Sequence, residues 1–170
     1  MTPDMAKGVA AHSCKDVEGE AATTRKVLAA FPAGQEAYKP HEKSMAALEL
    51  AYHISSTEIW FLESIAAGAM GPFTEKPESI QTFADVVADY DARFGPALAK
   101  VAAMDGESLA KIVPFFGVFE MPAVAYLNFL LKHSIHHRGQ ASVYVRLMGG
   151  KVPSIYGGSA DEPFQAGAGA

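Results

Sequence analysis

The sequence predicts an all-α protein, an antiparallel four-helix bundle with an irregular C-terminal tail. Glycine and proline divide the 170 residues into four long stretches joined by connectors. Apolar residues recur at three- and four-residue steps within these stretches, whereas the alternation typical of strands is scarce. A bundle is the simplest way to bury four apolar stripes together. Because 49% of the residues are apolar, we expect one domain over residues 1–170 with a hydrophobic core.

The first two predicted helices cover residues 3–30 and 45–67. Proline is favoured in the first turn of a helix, and the first stretch begins with one. Pro32 ends this helix. Ser44 is a suitable N-cap for the second helix, and Gly68 follows its last residue as a stop.

The third predicted helix covers residues 79–104, with Ser79 as its N-cap. Pro96 follows a glycine inside this stretch, so we expect it to kink the helix or end it early. Residues 105–121 fit either an extended segment or a short helix with a loop, and both alternatives stay open.

The fourth predicted helix begins at Pro122 and ends before Gly149 and its neighbouring glycine. The C-terminal tail, residues 151–170, is rich in glycine, proline and serine. We expect the tail to be irregular, with fraying over residues 164–170.

The charge and the N-terminus disfavour several classes of protein. The chain has 14 Lys and Arg against 19 Asp and Glu, a net charge of -5, and no basic block. We therefore expect no binding to nucleic acid or to a membrane surface. No stretch approaches the roughly 18 apolar residues of a membrane span, and Asp4 and Lys7 interrupt the region where a signal peptide needs an apolar run. These features predict a cytoplasmic protein.

Histidine is the main remaining source of site chemistry. The single cysteine, Cys14, cannot form an internal disulfide or a cysteine-based zinc cluster. Six histidines remain: His12, His41, His53, His133, His136 and His137. We expect His12 and His41 to lie at the surface. On the fourth helix His133 and His137 lie four residues apart, so both imidazoles share its apolar face. His136 lies about 100° around the helix, nearer to solvent.

His53, on the second helix, shares an apolar stripe with Leu50 and Trp60. This stripe is separate from the acidic positions of the helix, Glu49, Glu58 and Glu63. If the second and fourth helices are neighbours, three inward imidazoles form a site with open coordination positions. Neutral imidazole suits Zn, Ni, Fe or Cu, so these ligands do not identify the ion. Of the four, nickel or zinc is the ion we expect. The alternative is that each histidine is a core residue hydrogen-bonded to a carbonyl or hydroxyl group.

Several motifs occur together in one order along the chain. They are VLAAFP at 27–32, YKPH at 38–41, ALELAYHI at 47–54, HSIHHRGQASVY at 133–144, VPSIYG at 152–157 and SADE at 159–162. Together they resemble the DinB (damage-inducible, YfiT-like) family over nearly the whole chain. The resemblance implies a four-helix bundle, often dimeric, with a divalent metal held by His53, His133 and His137. Relatives of this kind include metal-dependent S-transferases and isomerases that use low-molecular-weight thiols.

The resulting hypothesis is a metal-dependent enzyme with a small-molecule substrate, either thiol S-transferase-like or hydrolase-like, and a homodimer. A low-molecular-weight thiol is the expected second cofactor. The chain lacks the glutamate of an H-E-x-x-H motif between His133 and His137, so a protease of that type is disfavoured. Two alternatives come from other classes: a non-catalytic metal-binding or stress-response protein, and a purely structural bundle.

Residues near the histidines are candidates for a substrate pocket: Trp60, His136, Arg138, Gln140, Tyr144 and Tyr156. Trp60 fits the core equally well. Arg138 fits either anion binding or a structural ion pair. Gly139, in mid-helix, indicates close packing of a neighbouring helix or the approach of a ligand. Tyr156 and Glu162 in the tail either close over the site or anchor the tail to the helices.

Overall fold

The computed structural model describes residues 1–73 and 75–164 and is mostly helical. The elements in chain order are α1 (Pro3–Leu28), α2 (Ala47–Ala67), α3 (Phe83–Ala103), α4 (Gly106–Ala110), β1 (Ile112–Phe115), β2 (Phe119–Pro122), a 3₁₀ turn (Ala123–Ala125) and α5 (Tyr126–Leu147). Each of the four predicted stretches therefore contains one long helix. Residues 165–170, most of the segment expected to fray, lie outside the described residues.

The start of α2 differs from the predicted one. The helix begins after Ala46, whose backbone N–H donates to the Glu49 carboxylate at 2.9 Å. Ser44 is therefore not the cap: Ala46 holds that position without a side-chain hydrogen bond, and only the Glu49 half of a capping box is formed. The predicted stop is confirmed: Gly68 ends the helix with a φ of 66°, in the left-handed region that glycine adopts freely.

The start of α3 also lies later than predicted. The Thr82 hydroxyl accepts the Asp85 backbone N–H at 3.2 Å, and the Asp85 carboxylate accepts the Thr82 backbone N–H at 2.8 Å. This reciprocal capping box begins the helix at Phe83, so Ser79 is not its cap. The helix then continues through Pro96 to Ala103 and does not end early.

The segment left undecided, residues 105–121, contains both a short helix and extended chain. After α4, β1 and β2 pair antiparallel, with Phe115 opposite Phe119. The turn between them places Phe116 at φ 49° and Gly117 at φ 75°. The all-α prediction therefore needs one correction, a two-stranded hairpin. Its strands are only four residues long, too short for a clear alternating pattern.

The fourth long helix, α5, starts later than the sequence indicates. Pro122 ends β2 instead of opening the helix, and the 3₁₀ turn intervenes before Tyr126. At the other end Gly149, with a φ of 78°, follows the helix as predicted.

The tail is irregular within the described residues but is attached to the helices. Lys26 on α1 pairs with Glu162 at 2.6 Å. Arg146 on α5 pairs with Asp161 at 2.5 Å. These two ion pairs hold the described part of the tail against both helices.

The core lies between the four long helices. α2 packs against α3 and α5, and α1 packs against the same two helices. Fifteen of the 21 residues of α2 are buried, against seven of the 26 in α1, so α2 is the more enclosed helix. Its packing against α5 is the pairing that the metal-site hypothesis requires. No helix within the described residues is both long and apolar enough to cross a membrane.

Candidate metal centre

The three histidines singled out in the sequence come together between α2 and α5. His53 Nε2 lies 3.1 Å from His133 Nε2 and 3.2 Å from His137 Nε2. One ring nitrogen from each residue lies within 4.8 Å of the other two, and all three side chains are half-buried. Among the described residues, no other three His, Cys, Asp or Glu side chains converge in this way.

The contacts of the other ring nitrogen, Nδ1, indicate whether the Nε2 atom in the cluster carries a proton. His137 Nδ1 lies 2.9 Å from Gln140 Oε1, three residues along α5. Because an amide oxygen can only accept, His137 Nδ1 carries the proton and Nε2 presents a lone pair to the cluster. His53 Nδ1 lies 3.4 Å from the Thr57 hydroxyl, one turn along α2. His133 Nδ1 is buried and has no partner among the described residues.

Neutral histidines satisfy this arrangement poorly. His53 Nε2 offers either one proton or one lone pair, yet two other ring nitrogens lie within hydrogen-bond distance of it. If His53 donates, its single N–H is divided between two acceptors, which weakens both hydrogen bonds. If His53 accepts, its lone pair faces the lone pair of His137. A cation bound to all three nitrogens removes this conflict.

Burial lowers the pKa of all three histidines, because desolvation penalises the charged imidazolium. The effect is largest for His133, whose pKa falls to about 3, with the neighbouring histidines adding to it. The hydrogen bond to Gln140 partly opposes the shift of the His137 pKa. The rings are therefore neutral at pH 7, the form that binds metal ions.

The donor set fits a transition-metal ion. Zinc–imidazole bonds are about 2.0–2.1 Å long, so the separations of 3.1 and 3.2 Å from His53 Nε2 to the other two nitrogens are short enough for each pair to bind one ion. Such an ion would have three protein ligands, and catalytic metal sites typically have three protein ligands and one open position.

The other predicted pocket residues do not all reach the histidines. Trp60 is buried, and its indole N–H donates to both backbone carbonyls of residues 71–72, at 3.2 and 3.1 Å. The Tyr144 hydroxyl donates to the Met45 carbonyl at 3.1 Å. His136 is exposed, and its ring lies edge-on to the neighbouring His137 ring with 4.8 Å between centroids.

Arg138 and Tyr156 belong to a separate contact with α1. The Arg138 side chain is only 1% exposed and pairs with the Glu20 carboxylate. Its guanidinium also donates to the Tyr156 hydroxyl at 2.5 Å, which in turn donates to Glu20 at 2.7 Å. Arg138 therefore makes the structural ion pair. Tyr156 and Glu162 bind to α1 and anchor the tail; neither is joined to the three histidines.

Gly139 does not mark a close helix contact, contrary to expectation. The residue is exposed, and a Cβ added there would meet no atom within 4 Å. The glycine lies on the solvent face of α5, where the described part of the chain places no neighbouring backbone.

The structure also contains a buried polar cluster that was not predicted from the sequence. We call Thr24, Glu58 and Tyr90 the Glu58 network. Glu58 is 2% exposed, and its carboxylate accepts from the Thr24 hydroxyl at 2.9 Å and from the Tyr90 hydroxyl at 2.5 Å. Burial raises the pKa of the Glu58 carboxyl, and burial beside that carboxyl raises the pKa of Tyr90.

The prediction that Glu58 lies with the other acidic residues of α2, away from its apolar face, is therefore wrong. The residue lies four positions after Ile54 and four before Leu62, and both of these apolar residues are fully buried. That spacing places Glu58 on an apolar stripe. This periodicity was the available signal, and it outweighs the usual preference of a carboxylate for the surface.

Sequence comparisons identify the family. The model of the DinB family matches residues 5–166. YjoA, an uncharacterised protein of Bacillus subtilis (strain 168), is 34% identical over 115 residues, which cover 66% of this chain and 73% of YjoA. YrdA, an uncharacterised protein of the same organism, is 38% identical over 86 residues, which cover 51% of this chain and 50% of YrdA.

Two crystal structures of DinB-like proteins share the fold. YjoA from Bacillus subtilis superposes with a TM-score of 0.69 and 25% identity, covering 85% of this chain and 97% of YjoA. A DinB-like protein from Bacillus cereus ATCC 10987 superposes with a TM-score of 0.62 and 27% identity, covering 81% and 91% of the two chains. The family match spans nearly the whole chain, including all three histidines. The chain belongs to the DinB family.

Proposed function

We propose that the protein is a metal-dependent enzyme with a small-molecule substrate. His53, His133 and His137 hold one divalent transition-metal ion, nickel or zinc. The observation that carries the proposal is the convergence of three Nε2 atoms, with at most one proton on His53 Nε2 for its two short contacts. The open coordination expected with only three protein ligands supports a catalytic ion over a closed structural one.

The ion and the residues around the site have different roles in this proposal. When bound, such an ion lowers the pKa of a coordinated thiol or water. Gln140 holds the tautomer and orientation of His137, and Thr57 contacts the outer nitrogen of His53. Burial keeps the three imidazoles neutral and therefore able to bind.

We favour thiol S-transfer over hydrolysis as the reaction. The histidine cluster includes no carboxylate among the described residues, and hydrolysis of an amide needs more proton transfer than transfer of a thiol. The only cysteine, Cys14, is buried on α1. A low-molecular-weight thiol therefore has to be supplied as a substrate or cofactor. The lack of a carboxylate also favours the second candidate, a non-catalytic metal-binding or stress-response protein.

The proposal extends to architecture and assembly. We propose that the four long helices run as an antiparallel bundle, which the packing of α1 and α2 against α3 and α5 supports. We also propose a cytoplasmic homodimer. Ile135, Val143 and Leu147 are exposed at four- and eight-residue spacings on α5, and such an apolar face supports association with a second copy.

Metal binding is tested by stoichiometry. Purified protein loaded with zinc or nickel is expected to hold about one ion per chain by mass spectrometry of the metal. Replacement of His53, His133 or His137 by alanine is expected to weaken binding more than about 100-fold, since even residues that only orient ligands contribute 10- to 100-fold. His136→Ala is the matched control and retains the ion. Full occupancy in the three ligand variants contradicts the proposed site.

Catalysis is tested separately on the loaded protein. We expect conjugation of a low-molecular-weight thiol to 1-chloro-2,4-dinitrobenzene to depend on the metal and to be lost in His53→Ala. A panel of esters and amides tests the hydrolase alternative. If the loaded protein shows neither activity, the enzyme proposal fails and the non-catalytic metal-binding protein is favoured.

A further inference from the structure

A cleft of about 410 Å³ lies beside His53. It is lined by residues of α2, among them His53, Thr57 and Trp60, and by Phe73 and Lys76 from the segment after α2. Its volume lies in the lower part of the range for small-molecule sites. Two larger cavities, one between α1 and α3 and the other between the connector after α1 and the start of α3, are lined by none of the three histidines. The cleft is therefore a place where a molecule can reach His53 and an apolar surface.

Two aromatic rings, Trp60 and Phe73, line the cleft, and a third, Phe116, lies next to both of them at its border; we call these three rings the aromatic wall. The Trp60 centroid lies 4.4 Å from that of Phe73 and 6.1 Å from that of Phe116, whose ring is tilted by only 7° from the indole. Phe73 and Phe116 are 5.6 Å apart. The two outer rings remain 58% and 51% exposed, whereas Trp60 is 5% exposed. Exposed aromatic surface of this kind is typical of interaction sites.

The backbone at Phe116 is strained. With a φ of 49°, Phe116 is the only residue other than glycine in the left-handed region within the described part of the chain. Bulky residues rarely adopt this conformation, and such strain clusters at functional sites. A glycine at position 116 would form the same turn without strain. The phenylalanine therefore costs backbone energy while placing its ring against Trp60 and Phe73.

The charges at the cleft do not select an ion. Glu49 and Lys76 both line it, and their charges cancel. The Glu49 carboxylate already accepts the Ala46 N–H at 2.9 Å, and the Lys76 ammonium donates to the Ile80 carbonyl at 2.7 Å. The aromatic wall is the more selective feature of the cleft.

We propose that this cleft binds a small molecule with a flat apolar or aromatic group, which lies against the aromatic wall while a metal-binding head group lies at His53. The inference rests on the proposed metal centre and specifies the substrate class for it. Phe73 and Phe116 determine specificity, and they act on the apolar group instead of on the reacting atoms.

Two hydroxamates with the same metal-binding head test the proposal. Benzohydroxamate carries a phenyl ring, and acetohydroxamate carries a methyl group. Trp60 is the only tryptophan in the sequence, so its fluorescence reports binding at the wall. The zinc-loaded protein is expected to bind benzohydroxamate at least about tenfold more tightly than acetohydroxamate, because the phenyl ring is stacked and removed from water.

Variants of the wall separate specificity from folding. Phe116→Gly removes the ring and relieves the positive φ, and Phe73→Ala removes the other exposed ring. In both variants the preference for benzohydroxamate is expected to fall below about threefold, with the affinities for zinc and acetohydroxamate unchanged. Phe119→Ala is the matched control. Phe119 is also a partly exposed ring of the hairpin, but it stacks on Phe115, so its removal is expected to keep the preference.

The outcomes distinguish the two proposals. Equal affinity of the wild type for both hydroxamates, or a preference that survives in both wall variants, overturns the aromatic-wall inference and leaves the metal centre intact. If zinc does not bind, the proposed function is overturned instead. In that case benzohydroxamate is titrated against the metal-free protein to test the aromatic wall by itself. Saturable quenching of Trp60 that is lost in Phe116→Gly supports the wall, and the absence of saturable quenching overturns it.

Discussion

Two polar clusters each include a residue of α2: the half-buried histidine cluster and the buried Glu58 network. They differ in how their polar groups are hydrogen-bonded. In the Glu58 network each carboxylate oxygen accepts a hydroxyl proton from the protein, from Thr24 and Tyr90. At the histidine cluster, five residues earlier on α2, His53 Nε2 has at most one proton for two short contacts with ring nitrogens. The first cluster is satisfied within the protein, as a structural cluster should be. The second is poorly satisfied by hydrogen bonds, and this difference is the basis for proposing it as the metal site.

The largest expected effect on stability is at the Glu58 network. Glu58→Ala removes the acceptor for two buried hydroxyl groups and leaves a cavity, so we expect the free energy of unfolding to fall by about 3 kcal/mol. Zinc affinity is expected to stay within a fewfold of the wild type. Urea unfolding and zinc titration measure the two quantities.

Glu63→Ala is the matched control on the same helix. Glu63 is exposed and lies 3.8 Å from Arg93, so its loss is expected to change the free energy of unfolding by less than about 1 kcal/mol. If Glu58→Ala abolished zinc binding without a loss of stability, the division between a structural cluster and a metal site would be wrong.

A smaller effect is expected where the protein orients a ligand. Gln140→Ala removes the acceptor for the His137 Nδ1 proton and should weaken zinc binding about 10- to 100-fold. Gln140→Glu retains an acceptor at that position and should restore most of the affinity. Calorimetric zinc titration compares the two variants. Equal affinities in Gln140→Ala and the wild type would show that this hydrogen bond does not orient the ligand.

The smallest expected effect is the pH dependence of tail attachment. The ion pair with Lys26, together with the Ser154 N–H, lowers the pKa of Glu162 from 4.5 to about 2. A lowered carboxyl pKa means that the stabilisation is fully present above pH 4.5 and is lost as the pH falls through about 2.

Amide exchange at Ser154 measures this attachment, because its N–H donates to Glu162 at 2.9 Å. We expect protection to decline between pH 4.5 and 2 in the wild type. Glu162→Gln should show weaker protection at neutral pH and little further dependence over that interval. Identical profiles in the two proteins would show that the Glu162 ion pair does not hold the tail.

The sequence allows the long helices and the histidine cluster to be predicted for the same physical reason. Helical periodicity fixes which residues share a face, so His133 and His137 face the same side of α5 and His53 faces the core from α2. The DinB resemblance is confirmed by the family match. The partnership of α2 with α5 depends on contacts distant in sequence, and only the structure provides it.

The features that were missed depend on context that local patterns do not contain. Helical periodicity places Glu58 on an apolar stripe, but only the structure shows the hydroxyl groups from α1 and α3 that satisfy its carboxylate there. The hairpin strands are too short to show an alternating pattern. Gly139 indicated a close contact, but a helix can also carry a glycine on its solvent face, as α5 does here.

X-ray absorption spectroscopy of the zinc-loaded protein shows directly whether the three histidines bind one ion. We expect three imidazole nitrogens at about 2.0–2.1 Å and at least one further exchangeable light-atom ligand. In His53→Ala the imidazole count should fall, with weak residual binding. A zinc environment with fewer than three imidazoles in the wild type would contradict the proposal that His53, His133 and His137 bind one ion together.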